Sequence, residues 1–362
     1  MSNIIPIHFL PQQAMPPIAD GFGRKIGYLR ISVVDRCNLR CTYCRPNGDD
    51  FHAVEREQLL TFEEIERVVR MATQLGVEKI RLTGGEPLVR KGLVDAIARI
   101  AAVPGIRDLA LSTNAVLLDK FARPLREAGL HRVNISLDSL NPQIFEQLTG
   151  GRLSEVLAGI HAAQDAGFTP IRINAVLMRG INDHEAASLI DWSIREQLEL
   201  RFIELMPMRE GMDWQRQYYP ISELLARADI IDRLEINTSE RQGSSAARYM
   251  PVRAKHQQSS HEQSLRENES APRRPPGKVG FIEPMSNHFC ESCNRLRLMS
   301  DGKLRPCLSA DHEIDLRATL RDGSSDEDLL GLIRLATTQK QEASTYTFES
   351  TGRQRSMISI GG

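Results

Sequence analysis

From Tyr28 onward, short runs rich in Val, Ile, Leu and Tyr alternate with longer stretches whose apolar residues recur every three to four positions. The short runs have the length of buried strands, and the longer ones carry the period of an amphipathic helix. This pattern predicts strands at Tyr28–Val33, Lys79–Leu82, Asp108–Leu111, Arg132–Ile135, Ile171–Leu177 and Leu200–Leu205. It predicts helices at Thr61–Leu75, Leu88–Ala102, Leu118–Ala128, Leu153–Ala166 and His184–Glu196. Thr61 and Glu64 have the spacing of a capping box, and Gly76, Gly129 and Gly167 stand just past helix ends, where a left-handed residue closes the last turn. Six strands alternating with helices imply a parallel α/β sheet with right-handed crossovers. The period leaves open a doubly wound sheet or an incomplete (β/α)6 barrel. Polar residues gather after strand ends, at Cys37–Cys44, Thr83–Pro87, Ser112–Asn114, Ser136–Ser139 and Met206. In either architecture that edge of the sheet is where a site is built.

Outside this alternation the chain changes character. Residues 1–27 contain prolines and no period, as in a flexible lead-in. After about Ile236 the alternation stops, and 254–277 is nearly free of apolar residues, the composition of a disordered insertion. A charged helix-like segment begins at Asp326, and a polar tail ends in Gly361 and Gly362. The expected organisation is a lead-in at 1–27, an α/β body at 28–236, a C-terminal domain at 237–320 that includes the insertion, and a helix with its tail at 321–362.

Composition narrows the function. At about 100–200 residues per domain, 362 residues suggest two domains. Forty-six basic against 47 acidic residues remove the electrostatic reason to expect a nucleic-acid or membrane-surface protein. No run approaches the ~20 apolar residues of a membrane span, and Met1–Asp20 lacks the pattern of a secretory signal. A cytoplasmic protein is expected. The six cysteines fall into two triplets, Cys37/Cys41/Cys44 and Cys290/Cys293/Cys307. Three disulfides would use them all, but in a reducing compartment such spacing points to metal or cluster ligation.

In Cys37-x3-Cys41-x2-Cys44, one short loop presents three thiolates to a soft centre. Structural zinc needs four ligands, so a zinc reading requires a distant fourth, whereas a four-iron cluster accepts three and leaves one iron open. At the end of the next strand stands Thr83-Gly84-Gly85-Glu86-Pro87. Its glycines let backbone approach a ligand closely, and its carboxylate offers an acceptor for an ammonium group. Cys290-x2-Cys293-x13-Cys307, with His288 and His312 nearby, read alone fits a zinc ribbon as well as a cluster.

Together, the three-cysteine loop and the Gly-Gly-Glu-Pro strand resemble the radical S-adenosylmethionine enzymes. That resemblance implies an incomplete (β/α)6 TIM-like barrel, and a [4Fe–4S] cluster on Cys37, Cys41 and Cys44 whose open iron chelates S-adenosylmethionine. The reduced cluster splits the sulfonium to give a 5′-deoxyadenosyl radical, which abstracts a substrate hydrogen. The second triplet, in His288-Phe289-Cys290-Glu291-Ser292-Cys293-Asn294-Arg295-Leu296-Arg297, narrows the resemblance to the GTP 3′,8-cyclases of molybdenum cofactor biosynthesis. So do Tyr28–Ser32 leading into Asp35-Arg36-Cys37-Asn38, Lys79–Pro87, Asp301–Cys307 and the diglycine end. In that family a C-terminal domain carries a second [4Fe–4S] cluster, here on Cys290, Cys293 and Cys307, whose open iron meets the guanine of GTP. The radical removes the ribose 3′ hydrogen, the sugar closes onto C8, and 3′,8-cyclo-7,8-dihydro-GTP results.

Carried over residue by residue, the resemblance assigns Tyr43, Gly85, Ser136 and Met206 to S-adenosylmethionine. It assigns Arg30, Arg81, Ser112, Arg172, Arg295, Leu296 and Arg297 to GTP, and Gly361 with Gly362 to a tail inserted toward the site. Arginine forks suit phosphate oxygens. The implied partners are a flavodoxin- or ferredoxin-type electron donor and the cyclic pyranopterin monophosphate synthase that takes the product; a homodimer is compatible. The chain departs from the family with Arg172 for the usual Lys, Ala115 for the usual Gly and Arg45 for an apolar residue after the third cysteine. Two other classes share part of the pattern: radical enzymes that modify peptides, which generally have more C-terminal cysteines, and non-enzymatic zinc-binding regulators.

Overall fold

The structure, a computed structural model, describes residues 17–44, 53–208, 213–241, 245–257, 277–350 and 357–361. Each expected strand and helix forms with small changes at its ends. The six body strands are β1 (Tyr28–Ser32), β2 (Lys79–Thr83), β3 (Asp108–Thr113), β4 (Arg132–Ser136), β5 (Arg172–Leu177) and β6 (Glu199–Glu204). Between them run α1 (Phe62–Gln74), α2 (Leu93–Ala101), α3 (Leu118–Glu127), α4 (Pro142–Thr149), α5 (Leu153–Asp165) and α6 (Ala186–Arg195). The Thr61 capping box is present in full, and Gly76, Gly129 and Gly167 adopt φ of +91°, +93° and +77°. Helix α2 starts later than the apolar pattern suggests, because Pro87–Val89 forms a 3-10 turn and Gly92 then sits left-handed at φ +81°.

The six strands pair in sequence order and in parallel, β1-β2-β3-β4-β5-β6. The sheet does not stop there. Strand β9 (Lys278–Ile282) adds to β6 in parallel, and β10 (Arg295–Leu298) adds to β1 in parallel. Short antiparallel strands extend both edges: β7 (Glu240–Arg241) and β8 (Arg248–Pro251) beyond β9, β11 (Lys303–Arg305) and β12 (Ile314–Asp315) beyond β10. The C-terminal third of the chain therefore flanks the body strands on both sides within one continuous sheet.

Alternation along each strand divides the two faces. Leu29, Ile31, Ile80, Leu82, Leu109, Leu111, Val133 and Ile135 point outward and are buried with Ile65, Val68, Ile97, Leu125, Val156 and Ile160 of the helices. Burying each such side chain contributes about 1.5–3 kcal/mol, so this layer fixes the strand register. The residues between them point inward, and in β1, β2 and β10 these are cationic or aromatic rather than apolar.

Residues 17–27 are held in place, unlike the flexible lead-in expected there. Ile18 donates to Leu75 O, and Arg24 Nη1 donates to Cys290 O at 2.7 Å and to Glu342 O at 2.8 Å. Within the expected insertion, Ala254–Gln257 forms one helical turn, and 258–276 lie outside the described residues. The expected C-terminal helix spans Asp326–Thr338.

Candidate functional site

The inward faces enclose a cavity of about 630 Å³. Both cysteine triplets line it, with Tyr43, Gly85, Ser112, Ser136 and Met206 and the arginines 30, 81, 172, 295 and 297. The topology sets the triplets at opposite ends of the bore. Cys37–Cys44 follow the C-terminal end of β1. Cys290 and Cys293 precede the N-terminal end of β10, which runs parallel to β1, and Cys307 follows β11, which returns antiparallel to that same end. The arginine rows lie between.

At the first end, the two glycines are required by close approach. A Cβ on Gly85 would stand 2.2 Å from Arg36 O, and one on Gly84 2.2 Å from Val34 O. In their absence Gly85 N donates to Val34 O at 2.7 Å and Glu86 N to Arg36 O at 2.8 Å, fastening the β2 end to the root of the cysteine loop. Glu86 differs from its expected role as an ammonium acceptor. Its carboxylate is wholly buried and accepts from Thr113 Oγ1 and Asn114 N, both at 2.7 Å, and from Leu88 N at 3.0 Å. It ties the β2 loop to the β3 loop; burial raises its pKa to about 7 against the lowering effect of these donors. Asn114, held by that contact, reaches Cys37 Sγ at 3.7 Å. Tyr43 donates to Asp138 Oδ2 at 2.7 Å, which fixes the loop beside Cys44.

Burial, and then the charges the neighbouring thiols and Asp138 would carry, push the Cys41 and Cys44 thiols up, Cys44 to about 12. Such sulfurs become stable thiolates only around a positive centre, as an iron cluster provides. At the other end, burial likewise raises Cys293, but Lys340, Arg295 and Arg297 more than reverse it, so its thiol lies below the ordinary value. Cys290 Sγ accepts from Ser344 N at 3.2 Å. Among the described residues no three His, Cys, Asp or Glu side chains converge on a single metal ion. A four-iron cluster asks for a different arrangement, one thiolate to each of three separate irons.

The cationic rows follow from register. Arg30 pairs with Arg81 on one side and Arg297 on the other; Tyr28 pairs with Lys79 and Arg295. Parallel partners share a face, so two layers of positive charge line one wall. The Nε atoms of Arg30 and Arg81 are buried without a hydrogen-bond partner. Burial first, with neighbouring guanidiniums, pulls Arg81 and Arg297 down to about 9, against a raising effect of Tyr28 on Arg81. Cations held this close await a polyanion. Leu296 differs from the expected GTP contact: alternation turns its side chain to the opposite face, into the core. Arg172 lines the cavity but is already engaged, with Nε donating to Glu199 Oε1 at 2.7 Å. The same oxygen accepts from Arg201 Nη2 and Tyr249 OH, both at 2.6 Å.

Tyr28, Lys79, Arg132, Arg201, Tyr249 and Lys340 also line the cavity and were absent from the expected set. The signal for the first four was present: Tyr28-x-Arg30, Lys79-x-Arg81, Arg132 opening β4 and Arg201 in β6 are inward positions of strands. Lys340, fully buried, donates to Arg295 O at 2.9 Å and Pro306 O at 2.8 Å, a long-range clamp with no sequence signature.

Gly361 lies against the cationic row and the end of β2. Arg297 Nη1 donates to Gly361 O at 2.7 Å, and a Cβ on Gly361, at φ +78°, would stand 2.5 Å from Thr83 Cγ2. Gly362 and Arg45 lie outside the described residues. Ala115 explains why a glycine is usual at its position: it sits left-handed at φ +63°. That conformation costs an L-residue about 1–2 kcal/mol. Ala115→Gly is therefore expected to raise stability by about 0.5–1 kcal/mol in urea unfolding, since glycine's larger unfolded-state entropy offsets part of the relief.

Two family models cover most of the chain: the radical SAM superfamily matches residues 31–193, and the molybdenum cofactor synthesis C-terminal family matches 198–346. A relative from Thermodesulfovibrio yellowstonii called GTP 3′,8-cyclase is 40% identical over 350 residues, spanning 95% of this chain and 99% of its own. One from Heliobacterium modesticaldum with the same name is 43% identical over 347 residues, with the same coverage. GTP 3′,8-cyclase 1 of Pseudomonas aeruginosa is 45% identical over 304 residues, 83% of this chain and 85% of its own. Among solved structures, Streptococcus suis SuiB bound to S-adenosylmethionine superposes with a TM-score of 0.52 at 18% identity, over 85% of this chain and 67% of that one. That likeness concerns the fold.

Proposed function

This chain belongs to the GTP 3′,8-cyclase family of the radical S-adenosylmethionine superfamily, and from that premise we propose how its two ends divide the work. The reaction is the conversion of GTP to 3′,8-cyclo-7,8-dihydro-GTP, a lyase step in molybdenum cofactor biosynthesis, with S-adenosylmethionine and an iron–sulfur cluster as cofactors. Cys37, Cys41 and Cys44 would hold that cluster, and Tyr43, Gly85, Ser136 and Met206 would contact S-adenosylmethionine. When bound and reduced, the cluster supplies the electron that splits S-adenosylmethionine into methionine and a 5′-deoxyadenosyl radical. Cys290, Cys293 and Cys307 would hold a second [4Fe–4S] cluster at the far end of the bore.

The remaining work is positioning by the chain itself. Arg30, Arg81, Arg295 and Arg297 bind the triphosphate with forked donors, and Ser112 adds a hydroxyl from the neighbouring strand. Glu199 orients the guanidiniums of Arg172 and Arg201, leaving their remaining N–H groups for the ligand. The Arg297–Gly361 contact places the tail over the same row, where it excludes water from the reacting sugar.

The observation that carries this reading is the placement of two cysteine triplets at opposite ends of one cavity with guanidinium rows between them. A nucleotide fixed by its phosphates along those rows spans the gap. A peptide substrate gives the buried charge no such counterpart. A flavodoxin- or ferredoxin-type protein would supply the electron, and the cyclic pyranopterin monophosphate synthase would take the product. Among the described residues no helix is long and apolar enough to cross a membrane. The second cluster is tested by iron and sulfide analysis of anaerobic protein. About eight irons per chain with matching sulfide are expected. About four, or zinc in their place, would leave the second triplet with another role.

A further inference from the structure

The cationic wall also holds an uncharged side chain with no role in the reading above. Tyr28 opens β1 with its ring set among three guanidiniums, Arg81 at 5.5 Å, Arg295 at 5.8 Å and Arg30 at 5.9 Å from the ring centroid. The ring lets these cations crowd together, because its faces attract positive charge and its bulk keeps the guanidiniums apart. Its hydroxyl is a different matter. The oxygen is buried beside the cavity with the Arg30 guanidinium close enough to donate to it, and no acceptor of normal geometry takes its proton. Leaving a buried hydroxyl proton unpaired costs about 1–3 kcal/mol, and a phenylalanine would give the same spacing without that cost. An unpaired donor kept at such a place is completed by the ligand.

The surroundings state what kind of ligand. Burial alone would raise the phenol pKa, yet the charges of Arg81, Arg30 and Arg295, with a hydrogen bond from Arg30, bring it down to about 8. The hydroxyl therefore lies where negative charge is stabilised. It also lies in the layer of Lys79 and Arg295, adjoining the row of Arg297, Arg30 and Arg81. An anion bridging those two layers passes the phenol. On the reading that GTP occupies this cavity, we propose that the Tyr28 hydroxyl donates a hydrogen bond to the phosphate chain of GTP and thereby distinguishes the nucleotide from its unphosphorylated nucleoside.

Tyr28→Phe removes the oxygen and keeps the ring. Binding is measured by calorimetry on anaerobic, cluster-loaded wild-type and variant protein, with GTP, tripolyphosphate and guanosine as separate probes. A hydrogen bond to a charged acceptor sets the expected size, about a 10- to 100-fold loss. GTP and tripolyphosphate should weaken together by that factor, while guanosine and S-adenosylmethionine affinities and iron content stay at wild-type values. Unchanged GTP affinity, or an equal loss for guanosine, overturns the proposal. So does loss of iron from the variant, which would make the hydroxyl a structural group. Failure of wild-type protein to bind GTP at all would instead overturn the reading on which the proposal rests.

Discussion

Cys293→Ala lowers GTP affinity on the order of 100-fold and removes about half of the iron, while S-adenosylmethionine still binds and is still cleaved by a chemical reductant. The argument is topological. Cys293 belongs to the end of the bore that precedes β10, next to Arg295 and the Lys340 clamp, and shares no loop with Cys37–Cys44. Loss of one thiolate from a set of three leaves two, too few to retain a cluster, and the first end is untouched. Cys41→Ala gives the reciprocal result. It abolishes 5′-deoxyadenosine formation and leaves GTP binding within a few-fold of wild type. Iron content, calorimetry with each ligand and 5′-deoxyadenosine release are read on both variants. If either variant loses both ligands together, the two ends are not separate sites.

Gly85→Ala is the second large effect, and it reaches the chemistry through the backbone of the cysteine loop. The new Cβ would stand 2.2 Å from Arg36 O, 2.6 Å from Arg36 C and 3.1 Å from Cys37 N. All three are backbone atoms, so no side chain can swing aside. The cysteine loop must retreat by roughly an ångström, and displacements of that size at a reacting centre cost about 100-fold in rate. Turnover is expected to fall at least that far, with weaker S-adenosylmethionine binding and partial loss of the first cluster. Gly331→Ala is the control. It lies inside the helix Asp326–Thr338 with open space around its missing Cβ, and alanine there should leave turnover unchanged and stabilise the helix by about 0.5–1 kcal/mol. Equal activity of the two variants would contradict the close-approach account.

Much of the body was legible because its signals are local. Strand runs of four to seven residues, a capping box and glycines past helix ends all act within a turn or two, and the structure keeps them. Helix α4 was missed because its eight residues open on Pro142 after Asn141, a pair that reads as a turn until the Asn141 side chain is seen accepting from Gln143 N and Ile144 N. The edge strands were missed for a different reason. Strands of two to five residues have too little pattern of their own, and β9 and β10 exist through partners far away in sequence, β6 and β1.

The site divides in the same way. The cysteines, Gly85 and most arginines were visible as spacing and type. For Leu296 and Glu86 the motif alone does not show where the side chain goes. Strand alternation places Leu296 opposite its arginine neighbours, and a carboxylate between a Gly-Gly turn and Pro87 is well placed to hold its own loops. Glu199 and Lys340 were invisible, since each acts through a partner on a distant segment, Arg172 and Tyr249 for one and Pro306 for the other.

The central claim is that one cavity brings the ribose of GTP within reach of a radical generated at the Cys37–Cys44 end. GTP deuterated at the ribose 3′ position, incubated anaerobically with S-adenosylmethionine, reductant and the cluster-loaded chain, tests it directly by mass spectrometry of the released 5′-deoxyadenosine. The account predicts one deuterium in that 5′-deoxyadenosine, together with a cyclised GTP product. Release of 5′-deoxyadenosine without deuterium, or with GTP recovered unchanged, would contradict it.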